Sequence, residues 1–149
     1  MNQRSQLNST LPFSSNYRYR SAGDDTGSIE VDCVALDKVI DRIDLTDQTI
    51  NILKIDTQGN EFNVLNGSKY LGHRLIDFVI IELLTVEKYQ GIIDYSRSIN
   101  LLSNYGFKLI KFTSYDEQTM IDEVLQATEL NLLLVHHNTI EKLNLPIHI

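Results

Sequence analysis

Two short apolar runs separated by a helical pattern are the clearest feature of the chain's hydrophobic pattern. Ile50–Ile55 is an apolar run broken by Asn51 and Lys54, which predicts a buried strand that ends at Asp56. Leu75–Glu82 predicts a second buried strand. Between them, Glu61 favours the first turn of a helix that stops at Gly67. Because strand, helix and strand in this order form a βαβ unit, the two strands are predicted to be parallel.

The rest of the chain predicts further short elements of one α/β domain. They are a strand over Ser28–Val34, a helix from Leu36, a helix over Ser96–Tyr105, a strand over Phe107–Phe112, a helix over Asp116–Ala127 and a strand over Leu130–Val135. Residues 1–27 are predicted to be an N-terminal arm or loop, and residues 138–149 a tail with one helical turn. The domain itself is therefore expected over residues 28–137, and a chain of 149 residues is long enough to bury its own core.

Acidic residues mark the ends of both central strands. In open α/β sheets, ligands bind beyond the carboxyl ends of the parallel strands, and this edge is where Asp56 and Glu82 are expected. Two neighbouring carboxylates can raise one pKa by repulsion, which suits a general base, or can share a divalent metal ion. Glu61 is the third candidate, one turn further on. The alternative for each acid is a structural role as an acceptor of hydrogen bonds from loop amides.

Three other residues have two interpretations each. Tyr89 and Tyr95 lie in or beside the stretch that follows the second strand, where loops commonly form substrate pockets, but tyrosines there can equally be ordinary packing. Asp37 could be a site residue or simply an acid that favours the first turn of its helix.

Charge and composition argue against several classes of protein. A net charge of −7 argues against nonspecific binding to nucleic acids or anionic membranes, which depends on clustered lysine and arginine. No apolar run is long enough to span a bilayer. The N-terminus lacks the apolar core of a secretory signal, and Cys33 is the single cysteine, so a cytoplasmic location is expected.

Histidine and glycine spacing argues against two further kinds of site. His136 and His137 are neighbours directly after the predicted strand over Leu130–Val135; neighbours on a strand point to opposite faces, so they make a poor chelating pair and no histidine metal site is predicted. The seven glycines are never two residues apart, so no glycine-rich turn of the dinucleotide-binding kind can be assigned.

An ordered series of short motifs resembles the later part of the FkbM-type methyltransferases. The series runs Val-Asp-Cys-Val-Ala-Leu-Asp, Leu-Lys-Ile-Asp-Thr-Gln-Gly-Asn-Glu, Val-Leu-Asn-Gly, Ile-Ile-Glu and Leu-Leu-Ser-Asn-Tyr-Gly-Phe, and the resemblance covers about residues 8–135. Its most specific piece is Lys-Ile-Asp-x-x-Gly-x-Glu, which ends at Glu61. The resemblance implies an S-adenosylmethionine-dependent methyltransferase of class I, which transfers a methyl group to an acceptor that is usually an oxygen.

The resemblance also implies a fold and roles for the candidate residues. The fold class would be α/β, an incomplete Rossmann-like class I methyltransferase sheet with mainly parallel strands and an antiparallel last strand. Asp56 would lie beside the reacting methyl group and orient the acceptor or take its proton, while Glu61 and Glu82 match a motif acid and a strand-end acid. An antiparallel last strand would place His136 and His137 at the sheet edge opposite these acids.

The opening strand of that family, with its glycine-rich cofactor turn, has no match in the chain. The sequence is therefore expected to be a partial domain, and the residues that bind the cofactor stay unassigned. Without the preceding strands, the edge of the strand over Ile50–Ile55 would be exposed, and an exposed strand edge favours self-association. The expected methyl acceptor is a hydroxyl of a small molecule or a sugar. Two alternatives are a catalytically inactive α/β scaffold or interaction domain, and a receiver-like domain, which would need an acid cluster that Asp44 and Asp47 supply only loosely.

Overall fold

The structure contains four strands and four α-helices in its described part. This computed structural model describes residues 9–15, 27–43, 45, 50–73, 75–114 and 129–146. The elements are α1 (Leu36–Ile40), β1 (Ile52–Ile55), α2 (Glu61–Asn66), a 3-10 helix (Tyr70–His73), β2 (Phe78–Leu84), α3 (Tyr95–Asn104), β3 (Phe107–Ser114), β4 (Glu129–His136) and α4 (His137–Leu143). The predicted order of strand, helix and strand around residues 50–84 is confirmed.

The strands form one sheet in the order β1-β2-β4-β3. β1 and β2 are parallel, as predicted, and β4 is antiparallel to both β2 and β3. The prediction of a mainly parallel sheet is wrong, because β4 lies between β2 and β3 and makes two of the three pairings antiparallel. The prediction of an antiparallel last strand is confirmed.

The core lies between the sheet and the helices α2 and α3. The side chains that are almost completely buried come from β2, β4, both helices and the 3-10 helix, and they include Leu65, Leu71, Val79, Ile81, Leu83, Leu102 and Val135. Full burial of one such aliphatic side chain stabilises the fold by about 1.5–3 kcal/mol. This packing holds the ends of β1 and β2 in fixed positions.

Two strand predictions need correction. Residues 28–34 are extended, but within the described residues they form no strand, and Ile29 and Val31 are exposed. Alternation favours a strand only when a neighbouring strand supplies hydrogen bonds and packing. The strand predicted over residues 50–55 exists as β1, but among the described strands it lies at the edge of the sheet, and it is buried only in part: Ile52 is 60% exposed, whereas Ile55 lies in the core.

The remaining predictions concern residues that lie partly outside the described part of the structure. The helices α1, α2 and α3 and the strands β3 and β4 lie where the sequence predicts them. The amphipathic helix predicted over residues 116–127 lies outside the described residues, and so does most of the predicted arm. Within the described residues, no helix has the length and apolar character that crossing a membrane requires.

Candidate functional site

A tight turn follows β1 and carries the first candidate acids. Gln58 and Gly59 both have positive φ angles, 53° and 104°, so the chain reverses sharply between Asp56 and α2. Such angles suit glycine and cost a side-chain-bearing residue such as Gln58 free energy. The turn brings the side chain of Gln58 back over the carboxyl end of the sheet.

Glu61, at the first position of α2, holds this turn together. Its carboxylate accepts hydrogen bonds from the backbone N–H groups of Thr57 at 3.0 Å and Gly59 at 3.0 Å, and from the Thr57 hydroxyl at 3.0 Å. Glu61 is buried. Its position at the helix start also complements the helix dipole.

Gln58 links the two strand-end acids. Its Nε2 donates to Glu82 Oε1 at 2.6 Å and to Asp56 Oδ1 at 3.3 Å. The Gln58 side chain is buried, whereas the Asp56 side chain is 35% exposed and also pairs with Lys54 at 2.8 Å. One amide group therefore connects the ends of β1 and β2.

Buried polar groups lie behind Gln58. Lys88 Nζ donates to Gln58 Oε1 at 3.3 Å and forms an ion pair with Glu129 Oε1 at 2.8 Å. The hydroxyl of Tyr89 donates to the same Gln58 oxygen at 3.4 Å. The lysine comes from the loop after β2 and the glutamate from the first residue of β4, so three strands contribute to one network.

The described N-terminal residues cover this network. Phe13 stacks on the ring of Tyr89 with 4.9 Å between the ring centres, and the two residues form an isolated β-bridge. Ser14 N donates to Lys88 O at 3.0 Å, and Ser9 Oγ donates to Gln58 O at 2.6 Å. These contacts fix the loop after β2 against the turn after β1.

The two strand-end acids have opposite pKa shifts. The hydrogen bond from Lys54 holds the pKa of Asp56 below its ordinary value, and the bond from Gln58 adds to this effect. Burial raises the pKa of Glu82, and the negative charges of Asp56 and Glu129 raise it further. Glu82 is therefore the more readily protonated of the two acids.

The sequence matches one known family. The match is to the Methyltransferase FkbM domain and covers residues 2–109. The chain belongs to the FkbM methyltransferase family. Searches among curated proteins and among solved structures gave no match.

The FkbM resemblance predicted from the motifs is thus confirmed as to family. The match begins in the predicted arm and extends to the start of β3. It contains Asp56, Glu61 and Glu82, together with Gln58 and Lys88. The site at the carboxyl ends of β1 and β2 therefore lies within the FkbM domain.

The structure brings some of the candidate residues together and separates others. Asp56 and Glu82 meet through Gln58, and Tyr89 is buried beside them. Tyr95 instead begins α3 and is exposed. Asp37 accepts hydrogen bonds from Ser68 Oγ at 3.1 Å and Lys69 N at 3.3 Å, so it ties α1 to the turn after α2.

The histidines lie at the other end of the sheet, as predicted. The prediction that their side chains point to opposite faces is wrong, because β4 ends at His136 and α4 begins at His137, and the two ring centres are 4.4 Å apart. In the antiparallel register, Val135 is opposite Phe78, the first residue of β2, so His136 and His137 are remote from Glu82. Among the described residues, no group of three His, Cys, Asp or Glu side chains could hold a metal ion.

The sequence patterns missed Gln58 and Glu129 as members of the site. Gln58 lies in a Thr-Gln-Gly stretch, which indicates a turn but not the direction of the side chain. Glu129 precedes the predicted last strand by one residue, and only the antiparallel placement of β4 brings it to Lys88.

Proposed function

We propose that this protein is an S-adenosylmethionine-dependent methyltransferase that methylates a hydroxyl of a small molecule or a sugar. The observation that carries this proposal is the Asp56–Gln58–Glu82 group at the carboxyl ends of two parallel strands within an FkbM domain. Ligands of open α/β sheets bind at such an edge. The family match favours this function over a catalytically inactive scaffold.

The chemistry of the donor set fits the reacting end of this cofactor. Bound S-adenosylmethionine would supply an electrophilic methyl group on a positively charged sulfonium. The carboxylates of Asp56 and Glu82 place negative charge at the sheet edge, where it complements a cation. Asp56 is partly exposed and can be reached from solvent.

The acids divide the handling of the acceptor between them. Asp56 stays ionised because of its lowered pKa, and it accepts a hydrogen bond from the acceptor hydroxyl and orients it. Glu82 takes the hydroxyl proton, since a raised carboxyl pKa is closer to the working range of a general base. Glu61 holds the Thr57–Gly59 turn, which follows Asp56 and carries Gln58, the residue that links Asp56 to Glu82.

Calorimetric titration with S-adenosylmethionine and a methyl-transfer assay with labelled cofactor test the proposal. The assay uses a panel of sugars and small alcohols as acceptors. The wild-type chain is expected to bind the cofactor and label an acceptor, and Asp56→Asn is expected to lose about 10- to 100-fold in transfer, as for loss of a hydrogen bond to a charged group, while it stays folded.

Asp32→Asn is the matched control, because it makes the same chemical change at an exposed residue outside the site. It is expected to keep full activity. Full turnover by Asp56→Asn would contradict the role of Asp56. A folded wild-type chain that neither binds the cofactor nor labels any acceptor would contradict the function itself.

A further inference from the structure

The orientation of the Gln58 amide is determined by its surroundings. Its Oε1 faces two donors, Lys88 Nζ and the Tyr89 hydroxyl, and its Nε2 faces two acceptors, Asp56 and Glu82. Rotating the amide by half a turn would set its oxygen against both carboxylates and its NH2 group against the lysine. Only one of the two orientations therefore satisfies all four neighbours.

Burial makes this orientation costly to change. Gln58 is 8% exposed and Lys88 is 5% exposed, so water cannot readily replace a lost partner. The charge of Lys88 is compensated by Glu129 at 2.8 Å, which fixes the ammonium group where it meets Gln58. The left-handed backbone at Gln58 is held by the bonds that Glu61 makes to both neighbouring residues.

We propose that Gln58 is a positioning residue of this site, and that Lys88, held by Glu129, sets the direction in which its amide points. The inference rests on the proposed function. The amide holds the carboxylates of Asp56 and Glu82 in a fixed arrangement and adds no charge between them. A glutamate at position 58 would instead place a third negative charge beside two acids.

The amide also affects how the acids titrate. Its hydrogen bond lowers the pKa of Glu82, against the effects of burial and of the charges on Asp56 and Glu129, while Lys88 acts in the same direction as the amide. It lowers the pKa of Asp56 as well, alongside Lys54 and Lys88. Removing the amide is therefore expected to raise both pKa values.

Carboxyl titration by carbon-13 NMR on the chain without cofactor tests this role independently of activity. In Gln58→Leu the titration midpoint of Glu82 is expected to move to higher pH. Gln90→Leu is the matched control, because the Gln90 amide, in the loop after β2, donates to Phe13 O at 3.0 Å and makes no hydrogen bond to either acid among the described residues. The control is expected to leave the midpoint of Glu82 unchanged.

The role of Lys88 is tested through the Gln58 amide itself. Tyr89→Phe and Lys88→Met each remove one donor from Gln58 Oε1, and solvent exchange of the Gln58 NH2 hydrogens is expected to become faster, more so in Lys88→Met. Unchanged exchange in a folded Lys88→Met variant would overturn the role of Lys88. Tyr89→Phe keeps the charge and the ring, so it still tests the orientation if Lys88→Met does not fold.

In the methyl-transfer assay, Gln58→Leu is expected to lower kcat at least about tenfold with little change in KM for the cofactor, since it removes the hydrogen bonds to both carboxylates and one bond to a charged group is worth about this much. Gln58→Glu is expected to be less active still. An unchanged Glu82 midpoint, or an unchanged kcat in an active protein, would overturn the proposal. If the wild type has no activity at all, the proposed function fails, whereas the NMR titration still decides the role of Gln58.

Discussion

The two ends of strand β2 use acids in different ways. Just before β2, Asp77 is buried, and its carboxylate accepts hydrogen bonds from Asn51 N at 2.8 Å and from Thr139 Oγ1 at 2.7 Å. Within β2, near its other end, Glu82 shares the Gln58 amide with Asp56, whose side chain is 35% exposed. Asp77 joins β1, β2 and α4, whereas the other two acids face the edge where ligands of such sheets bind.

Under the proposed function, the kind of partner that an acid binds separates a structural role from a chemical one better than its burial does. Asp77 and Glu61 both accept hydrogen bonds from backbone N–H and from a hydroxyl, which fixes the turn after β1 in the case of Glu61 and joins distant segments of the chain in the case of Asp77. Asp56 and Glu82 are bound by side chains alone in the described hydrogen bonds: an amide and, for Asp56, a lysine.

The largest expected effect on stability comes from Asp77→Asn. The new NH2 group would face either Asn51 N–H or the Thr139 hydroxyl, so a buried donor loses its acceptor, at a cost of about 1–3 kcal/mol. Each kcal/mol corresponds to a fall of about 2–4 °C in Tm for a chain of this size. Thermal unfolding followed by circular dichroism measures the change.

The matched control for Asp77→Asn is Glu141→Gln, an exposed acid on α4. It is expected to leave Tm unchanged. Methyl transfer by Asp77→Asn below its Tm is expected to stay near the wild-type rate, in contrast to Asp56→Asn. A variant with normal Tm and lost activity would reverse the assignment of the two ends of β2.

A smaller effect is expected in the pH dependence of stability, and its sign differs between the two site acids. The folded-state pKa of Asp56 is lowered, so its stabilising contribution is fully present above the ordinary aspartate value and is lost as pH falls below it. The folded-state pKa of Glu82 is raised, so its contribution is present at low pH and is lost as pH rises above the ordinary glutamate value.

Urea unfolding at a series of pH values separates the two contributions. Relative to wild type, Asp56→Asn is expected to lose stability as pH rises through the acidic range, whereas Glu82→Gln is expected to gain it. Parallel curves for the two variants would mean that the acids do not differ in environment. Thermal unfolding at one pH could not show this difference, because the pH-dependent contributions of Asp56 and Glu82 to stability oppose each other in the wild-type chain.

The sequence was sufficient to predict those elements whose hydrophobic pattern agrees with the packing that surrounds them in the structure. The βαβ unit around Glu61 follows from two apolar runs, an acid at a helix start and Gly67 at its end, and all of these lie where they were predicted. The strand predicted over residues 28–34 was wrong, because alternation describes the side chains and not the pairing partner.

The candidate site was predictable only in part, because some of its contacts join residues that are distant in the sequence. Strand ends identify Asp56 and Glu82, since the carboxyl edge of parallel strands is fixed by chain direction. The amide between them depends on a left-handed turn at Gln58, and Lys88 reaches it from another loop. Contacts of that kind depend on tertiary packing, which a local pattern does not contain.

The smallest expected effect concerns the two edges of the sheet, β1 and β3. We propose that the chain self-associates weakly through β1, where Ile52 is 60% exposed and lies near other exposed aliphatic residues in the sequence, such as Ile50. Sedimentation velocity over a range of concentrations is expected to show a rising average mass. A monomer at all concentrations would contradict the proposal.

Matched lysine substitutions on the two edge strands distinguish β1 from general stickiness. Ile52→Lys is expected to return the chain to a monomer, since a charge on an edge strand opposes pairing with another edge. Leu109→Lys makes a comparable change on β3, where Leu109 is 50% exposed, and is expected to leave association unchanged. If both variants were monomeric, apolar exposure in general would drive association, and if neither were, the contact would lie away from both edges.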